Sequence, residues 1–425
     1  MARLCPARQQ GAASLVVVML LLFTMMLTAA YASRSLVVEQ KNAANQLRAT
    51  QALEAAEAGL EWGLAQLNAG HVDEQCSATE ASGSLSFLER VLRVADRDSG
   101  RFDEHADATQ TGAPACVRDP AGQWQCTCPS AGSRRPGVQP GTHATPAFQL
   151  HFQGVAPPAG AASAPSLVQI TAQGCARAGA SMACEPSAAT DVALAVAQVQ
   201  AALLPALATP PAATLTASGS IRTGTAAVGL YNTDARGSGL AVHAGASVQA
   251  EGARVAGPPG AMSAVLANDS ALAARSFERL MLSHLGVPKD SYGQLPSVRT
   301  LQCAGDCTAA VQAAVRSGIR QLWIVGDATL ADVELGTTAA PVVLVVDGRL
   351  SLSAGVRITG FMLARSLQWD HGASGSAWLR GAAMVAGDAQ LSGTPDLMYD
   401  AAVLHTLNRL TGSFVKVPGS WKDAS

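Results

Sequence analysis

The most regular hydrophobic pattern of the chain lies near its N-terminus. Residues 12–32 form a run of 21 residues without a charged side chain, AASLVVVMLLLFTMMLTAAYA. As a helix rising about 1.5 Å per residue, this run is long enough to cross a hydrocarbon core of roughly 30 Å. It is also longer than the apolar core of roughly 7 to 15 residues in a cleaved secretory signal. The run therefore predicts a membrane-spanning helix.

The helical pattern continues beyond Arg34 to about Gly70, in a segment rich in alanine, leucine, glutamine and glutamate and free of proline. Apolar residues recur there at the spacing of one helix face: Leu53, Ala56, Leu60, Leu64 and Leu67. Residues 12–70 therefore predict one long helix whose second half packs on other parts of the protein, with Gly70 as its stop.

Three later runs alternate between apolar and polar residues: AFQLHFQGV, SLVQITAQG and DVALAVAQVQ. This alternation predicts a three-stranded antiparallel meander that covers the amphipathic half of the helix. The preceding residues 71–145 have weak periodicity, four cysteines and the turn-rich stretch PSAGSRRPGVQPG. We expect residues 71–205 to form an α+β head with disulfide-stapled loops.

A repeat marks the last part of the chain, after the proline-containing linker LATPPAAT. Apolar runs begin at Leu322, Val342, Phe361 and Ala382, at spacings of 20, 19 and 21 residues. A repeat of about 20 residues with turns at Gly and Asp predicts a parallel β-solenoid over residues 212–425. Two helical segments are expected to cap it, the first through Leu272, Phe277, Leu280 and Leu285. The fold class is α+β: a long helix on a meander, then a mainly β solenoid.

Composition narrows the function. Charged residues make up 14% and aromatic residues 4% of the 425 residues. This balance suits an exported β-rich protein better than a cytosolic enzyme, and the length suits more than one domain. The formal net charge is −2 and no block of Lys or Arg occurs, so we expect no nucleic-acid partner.

The cysteines point to an oxidising compartment. Nine are present, and Cys5 lies in an N-terminal segment that we expect to be removed, which leaves eight. Their short separations favour two local disulfides, Cys175 with Cys184 and Cys303 with Cys307. The pairing among the other four stays open: Cys76, Cys116, Cys126 and Cys128. The C-x-C spacing is poor for zinc, so no metal site is predicted.

Catalytic chemistry has weak support in the sequence. Asp327, Asp347 and Asp388 follow the repeated apolar runs, where stacked carboxylates would be weak Ca²⁺ candidates or an acid and base. Aspartate beside glycine is also ordinary turn chemistry, which is the interpretation we favour. The eight histidines are scattered and form no metal-binding motif. We therefore predict no cofactor and no enzymatic activity.

The N-terminal residues resemble a known family. A leader ending in Gly11, a small residue at Ala12, a long apolar helix and an amphipathic extension are the layout of type IV prepilins. The segments QQGAASLVVVMLLL and QALEAAEAGLE are similar to the PilX class of minor pilins. This resemblance implies that a prepilin peptidase cleaves between Gly11 and Ala12 and methylates the new amine.

One position departs from the common pilin pattern. Most pilins carry glutamate at the fifth mature position, where it neutralises the N-terminal amine of a neighbouring subunit, whereas this chain has Val16 there. An apolar residue inserts into lipid more easily but lacks that pairing. Since PilX-class proteins and tip pseudopilins resemble the chain in lacking the acid, the resemblance implies a tip or initiating subunit.

The resemblance implies a protein that joins a type IV pilus or a related secretion pseudopilus. Its partners would be other minor and major pilins, the prepilin peptidase, the inner-membrane assembly platform and, as a further candidate, a tip adhesin. Arg3 and Arg8 orient the N-terminus to the cytoplasm and the bulk to the periplasm before assembly onto the cell surface. Two alternatives are a membrane-tethered adhesin outside any filament and a secreted β-helix enzyme acting on polysaccharide.

Overall fold

The computed structural model describes most of the chain: residues 12–81, 83–105, 113–129, 145–156, 165–176, 184, 193–225, 227–259, 263–303, 305–372 and 375–423. The predicted leader, including Gly11, and all but the first residue of PSAGSRRPGVQPG lie outside these residues.

One helix, α1 (Ala12–Leu67), runs without interruption for 56 residues. The predicted long helix is confirmed, and it ends three residues before Gly70. Side chains of residues 14–47 are exposed on every side, and contact with the rest of the protein begins after them. The helix thus has a bare half and a packed half.

The packed half lies on an antiparallel sheet, which we call the head sheet. The predicted meander forms its centre, and a short helix and a hairpin lie beside it. The elements are α2 (Phe87–Val91), β1 (Leu92–Asp96), β2 (Arg101–Glu104), β3 (Ala115–Arg118), β4 (Trp124–Thr127), β5 (Ala147–Val155), β6 (Leu167–Cys175), β7 (Leu194–Pro205), β25 (Gly412–Lys416) and β26 (Lys422–Asp423). The strand order of the head sheet is β25-β7-β6-β5-β3-β4, with β26 also on β7.

Small residues on α1 permit its close contact with the head sheet. A Cβ at Gly59 would lie 2.9 Å from the Phe148 ring, and one at Gly63 would lie 2.9 Å from Leu150. From the sheet side, a Cβ at Gly174 would lie 2.1 Å from the carbonyl oxygen of Ala52. The buried face of α1 therefore includes glycine and alanine, whereas the predicted stripe members Leu53 and Leu64 are only half-buried.

Parallel strands build the second part of the fold, which we call the β-helix. They are β8 (Ala213–Ala217), β9 (Ile221–Arg222), β10 (Gly229–Tyr231), β11 (Leu240–Ala244), β12 (Val248–Gln249), β13 (Arg254–Ala256), β14 (Val265–Leu266), β15 (Val298–Gln302), β16 (Gly305–Asp306), β17 (Gln321–Val325), β18 (Ala328–Ala331), β19 (Glu334–Leu335), β20 (Val342–Ser353), β21 (Arg357–His371), β22 (Trp378–Val385), β23 (Ala389–Gly393) and β24 (Asp396–Tyr399). Every pairing among them is parallel, with successive coils roughly 20 residues apart, as the repeat predicts.

The coils do not stack in chain order. Within one stack of strands the order is β15, β17, β20, β21, β22, β8, β11 and β14. The chain therefore enters in the middle of the β-helix, builds one end, crosses to the other end and returns to the middle. Its entry and exit are neighbours because both ends of this module connect to adjacent strands of the head sheet, β7 and β25.

Helices cover the β-helix, and one of the two predicted caps packs elsewhere than expected. They are α3 (Ser270–Ala273), α4 (Phe277–Leu285), α5 (Lys289–Tyr292), α6 (Thr308–Arg316) and α7 (Ala401–Arg409). The prediction that Phe277 and Leu280 cover an open end is wrong, because they pack on outward-facing Val345 and Phe361 of the first stack. The second predicted cap, α6, contributes Val311 to the interior cluster.

The end of the chain returns to the head. Strand β25 pairs antiparallel with β7, and Phe414 lies opposite Leu203. The predicted module over residues 212–425 therefore does not extend to its expected C-terminal boundary, since the last two strands complete the head sheet. The β-helix is an insertion between two neighbouring strands of the head.

Candidate functional site

The bare half of α1 is the largest apolar surface of the described chain. Its exposed large side chains include Leu15, Val16, Val17, Val18, Met19, Leu20, Leu21, Leu22, Phe23, Met25, Met26 and Leu27. By length and composition, α1 is able to cross a membrane, and its most apolar window has no buried residue. A surface of this kind requires lipid or neighbouring protein around it.

Polar side chains within this half are satisfied by the helix itself. The Thr24 hydroxyl donates to the Leu21 carbonyl at 2.9 Å, and the Thr28 hydroxyl donates to the Thr24 carbonyl at 3.0 Å. Such bonds lower the cost of placing hydroxyl groups in lipid. Because Arg34 is the first charged residue after Ala12, the run between them suits a hydrocarbon environment.

The predicted processing residues lie at the start of this helix. Gly11 is outside the described residues, and Ala12 is the first residue of α1. Val16 is 56% exposed, on the bare part of the helix. The cleavage and the role of the fifth mature position therefore remain predictions.

Four disulfides link the eight described cysteines. Both expected local pairs are present, Cys175–Cys184 and Cys303–Cys307. The pairing that the sequence left open is Cys76–Cys128 and Cys116–Cys126. The first of these two joins the loop after α1 to the end of β4, and the second joins opposite residues of the β3–β4 hairpin. Three of the disulfides thus tie down loops of the head, and Cys303–Cys307 lies between β15 and α6 of the β-helix.

The corner aspartates bind backbone groups of the next coil. Asp327 accepts a hydrogen bond from the Arg349 amide at 2.7 Å. Asp388 accepts from the Ser220 amide at 2.7 Å and from its hydroxyl at 2.8 Å, and these bonds lower the pKa of Asp388. Both aspartates therefore link the turns of neighbouring coils, which agrees with the interpretation that they are turn residues.

Asp347 has different neighbours from the other two. It accepts from the Arg365 guanidinium at 2.6 Å and pairs with Lys289 at 2.7 Å. Arg365 also contacts Glu278 at 2.8 Å and holds its pKa at about 2, and its guanidinium lies 4.5 Å from the centre of the Phe277 ring. This network fastens α4 and α5 to the β-helix. Among described residues, no three His, Cys, Asp or Glu side chains meet as a metal site.

The contacts at the C-terminal end of α1 involve Asn68 and His71, which the sequence did not single out, and Gly70, which it did as the helix stop. Asn68 is buried, and its side chain donates to the Phe414 carbonyl at 3.0 Å and accepts from the Phe414 amide at 2.8 Å. The His71 amide donates to the Ser317 carbonyl at 2.7 Å. At Gly70 a Cβ would lie 2.0 Å from that same carbonyl oxygen, so only glycine fits. The β-helix therefore contacts the end of α1 opposite to its bare half.

A second surface lies beside the packed half of α1. Glu54, Glu57 and Glu61 project along one side of a groove of about 560 Å³, and the C-terminal tail forms the other side. Lys416 pairs with Glu61 across it, and Trp421 is 50% exposed. In the sequence, only the spacing of these glutamates along the helix could have indicated the groove. The tail that forms its other side lies far away in the chain, so its position depends on folding.

Comparison with known proteins gives a family match that covers most of α1. The PilX N-terminal family model matches residues 10–61 of the chain. No curated protein matches. Among solved structures, the crystal structure of the competence-associated pilin ComZ from Thermus thermophilus matches at 12% identity, with 89% of this chain and 98% of that chain covered and a TM-score of 0.18. That score is too low to support an argument. The chain therefore carries a PilX N-terminal domain, and its resemblance to the PilX class of type IV minor pilins is confirmed over residues 10–61.

Proposed function

We propose that this protein is a minor pilin or pseudopilin, cleaved between Gly11 and Ala12, that primes assembly of a type IV pilus or related filament. The observation that carries the proposal is the division of α1: one half is bare and apolar, and the other is packed on the head sheet. A helix of this form anchors the subunit in the membrane and then lies among the helices of its neighbours. The PilX N-terminal match points to a structural, non-enzymatic protein.

A position at or near the filament tip is supported by the placement of the β-helix. Ser317 and Gly318 contact Gly70 and His71, beyond the C-terminal end of α1. A module at that end extends away from the membrane-inserted half. Val16 supports the same position, because it offers no carboxylate to the amine of a neighbouring pilin.

The partners that follow from this proposal are the prepilin peptidase, other minor and major pilins and the inner-membrane assembly platform. At the tip, the β-helix is displayed for contact with an adhesin or a surface. The protein resides in the inner membrane before assembly, with Arg3 and Arg8 on the cytoplasmic side, and on the pilus afterwards.

Immunogold labelling of sheared filaments tests the proposal. With antibody against the β-helix, we expect label at filament ends and absent from filaments of a deletion strain. A protein found only in membranes, never in filaments, would favour the membrane-tethered adhesin instead.

Val16→Glu tests the tip position. A carboxylate at this position supplies the missing pair for a neighbouring amine, so we expect label to appear along the shaft as well as at the end. Val17→Glu is the matched control, since it places the same charge on a different side of α1. Label along the shaft in the unmodified protein would contradict the tip assignment.

A further inference from the structure

A cavity of about 440 Å³ lies between the head and the β-helix. We call it the junction cavity. Its apolar walls come from both parts, with Leu67, Leu203 and Phe414 on the head side and Ile319 on the β-helix side. The volume is within the range of roughly 300 to 1,000 Å³ typical of small-molecule sites.

Positive charge exceeds negative charge around this cavity. Arg93 and Arg97 line it from β1 and the turn that follows, and Arg320 lines it from the residue before β17. Glu89 is the one carboxylate among the described residues of the lining. Three arginines against one glutamate leave an excess of two positive charges.

Glu89 is already engaged in capping a helix. Its Oε2 accepts from the Ser86 amide and the Ser86 hydroxyl, each at 2.8 Å, in the capping box of α2. Its charge acts on Arg320 through space only, since the two form no ion pair in the described chain.

Arg320 is the unusual member of the group. Its side chain is half-buried, and burial lowers the pKa of its guanidinium, which Glu89 only partly opposes. Within the described residues its guanidinium has no hydrogen bond or ion pair, whereas its carbonyl accepts from the Val343 amide at 2.8 Å. Partial burial weakens the hydration of a guanidinium, and this favours an anion as the acceptor for its N–H donors. Among the described residues, the junction thus provides guanidinium donors without a protein acceptor.

We propose that the junction cavity binds an organic anion, a carboxylate or phosphate carried on an apolar body, with Arg320 as its inner ligand and Arg93 and Arg97 at its rim. Arginine presents paired donors that match the oxygens of both groups. The apolar walls receive the body of the ligand. Because the arginines come from both parts of the fold, a bound anion would join the head to the β-helix.

Isothermal titration calorimetry on the full chain in phosphatidylcholine nanodiscs tests this assignment. Four probes separate charge from apolar body: phenyl phosphate, phenylacetate, inorganic phosphate and benzyl alcohol. We expect saturable binding of the two aromatic anions, weaker binding of inorganic phosphate and none of benzyl alcohol. Comparable binding of benzyl alcohol, or binding of none of the anions, would overturn the proposal.

Two variants locate the site. Arg320→Gln should weaken phenyl phosphate binding at least about tenfold, the loss expected for a charged hydrogen bond, and Arg320→Lys should weaken it less. Arg316→Gln is the matched control, because it removes a charge from the exposed end of α6 outside the cavity. Affinity unchanged in Arg320→Gln would contradict the assignment.

Thermal unfolding separates ligand binding from a structural role. Since the Arg320 guanidinium has no partner among the described residues, Arg320→Gln should leave the Tm of the ligand-free protein equal or higher. Phenyl phosphate should raise the Tm of the unmodified chain and not that of the variant. A lower Tm in the ligand-free variant would indicate a structural arginine and overturn the proposal.

Discussion

Replacement of Asn68 by alanine tests how the chain end is held in the head. The Asn68 side chain satisfies both the amide and the carbonyl of Phe414, and the residue is only 7% exposed. In Asn68→Ala, two buried backbone groups lose their partners, at about 1–3 kcal/mol each. Together the two losses would destabilise the protein by about 2–6 kcal/mol. Because β25 keeps its pairing with β7, we expect a value in the lower part of this range, about 3 kcal/mol.

Hydrogen exchange measured by mass spectrometry reports this loss locally. About 3 kcal/mol corresponds to exchange on the order of a hundredfold faster in the peptide containing 412–416. Glu39→Gln, on the exposed part of α1 away from the tail, is the matched control and should leave that peptide unchanged. Unchanged exchange in Asn68→Ala would refute the clamp, and an equal rise in every strand of the head would show a global effect instead.

Three further predictions concern stability. Gly174→Ala places a Cβ against the helix backbone, so thermal denaturation should show a loss of at least about 2 kcal/mol. Glu278 has a pKa lowered from 4.5 to about 2 by Arg365, so its contribution to stability is complete above pH 4.5 and is lost as pH falls through about 2. Acid unfolding of Glu278→Gln should lack this part of the pH dependence. Replacing Cys76 and Cys128 together by alanine opens a 52-residue loop and should cost about 4 kcal/mol in urea denaturation.

Each of these three predictions has a comparison variant whose result can contradict it. Gly372→Ala should be neutral, because a Cβ there meets no atom within 4 Å. Arg365→Gln should remove this part of the pH dependence too, and adding Glu278→Gln to Arg365→Gln should change the acid limb no further. Removing Cys303–Cys307, only four residues apart, should cost about half as much as removing Cys76–Cys128. Equal costs for the two disulfides would contradict the loop-length argument.

Local periodicity accounts for what the sequence predicted correctly. An apolar run and its amphipathic extension predicted α1, and alternation predicted β5, β6 and β7. The 20-residue repeat predicted the parallel stacking of β17, β20, β21 and β22. In each case the signal lies within the segment itself, because burial of one face imposes a period on neighbouring residues.

Contacts between distant segments were not predictable in the same way. The pairing of Phe414 with Leu203 joins residues about 200 positions apart, and nothing in either strand specifies its partner. The order of coils follows from where β7 and β25 lie, which is a property of the assembled head. The close approach at Gly59 and Gly63 was also missed, because a search for large apolar residues overlooks small ones.

The candidate sites likewise contain local contacts, which the sequence indicated, and long-range contacts, which it did not. The spacing of Cys175 and Cys184 indicated a local pair, whereas the partners of Cys76 depended on folding. The junction arginines lie far apart in the chain, so only the structure reveals that Arg93 and Arg320 share a cavity.

The most direct test of the account is the mass of the N-terminal peptide of the protein isolated from membranes and filaments. We expect a chain that begins at Ala12 with a methylated amine, and a chain that keeps its leader in a strain lacking the prepilin peptidase. A protein that begins at Met1 in both strains would contradict processing as a pilin.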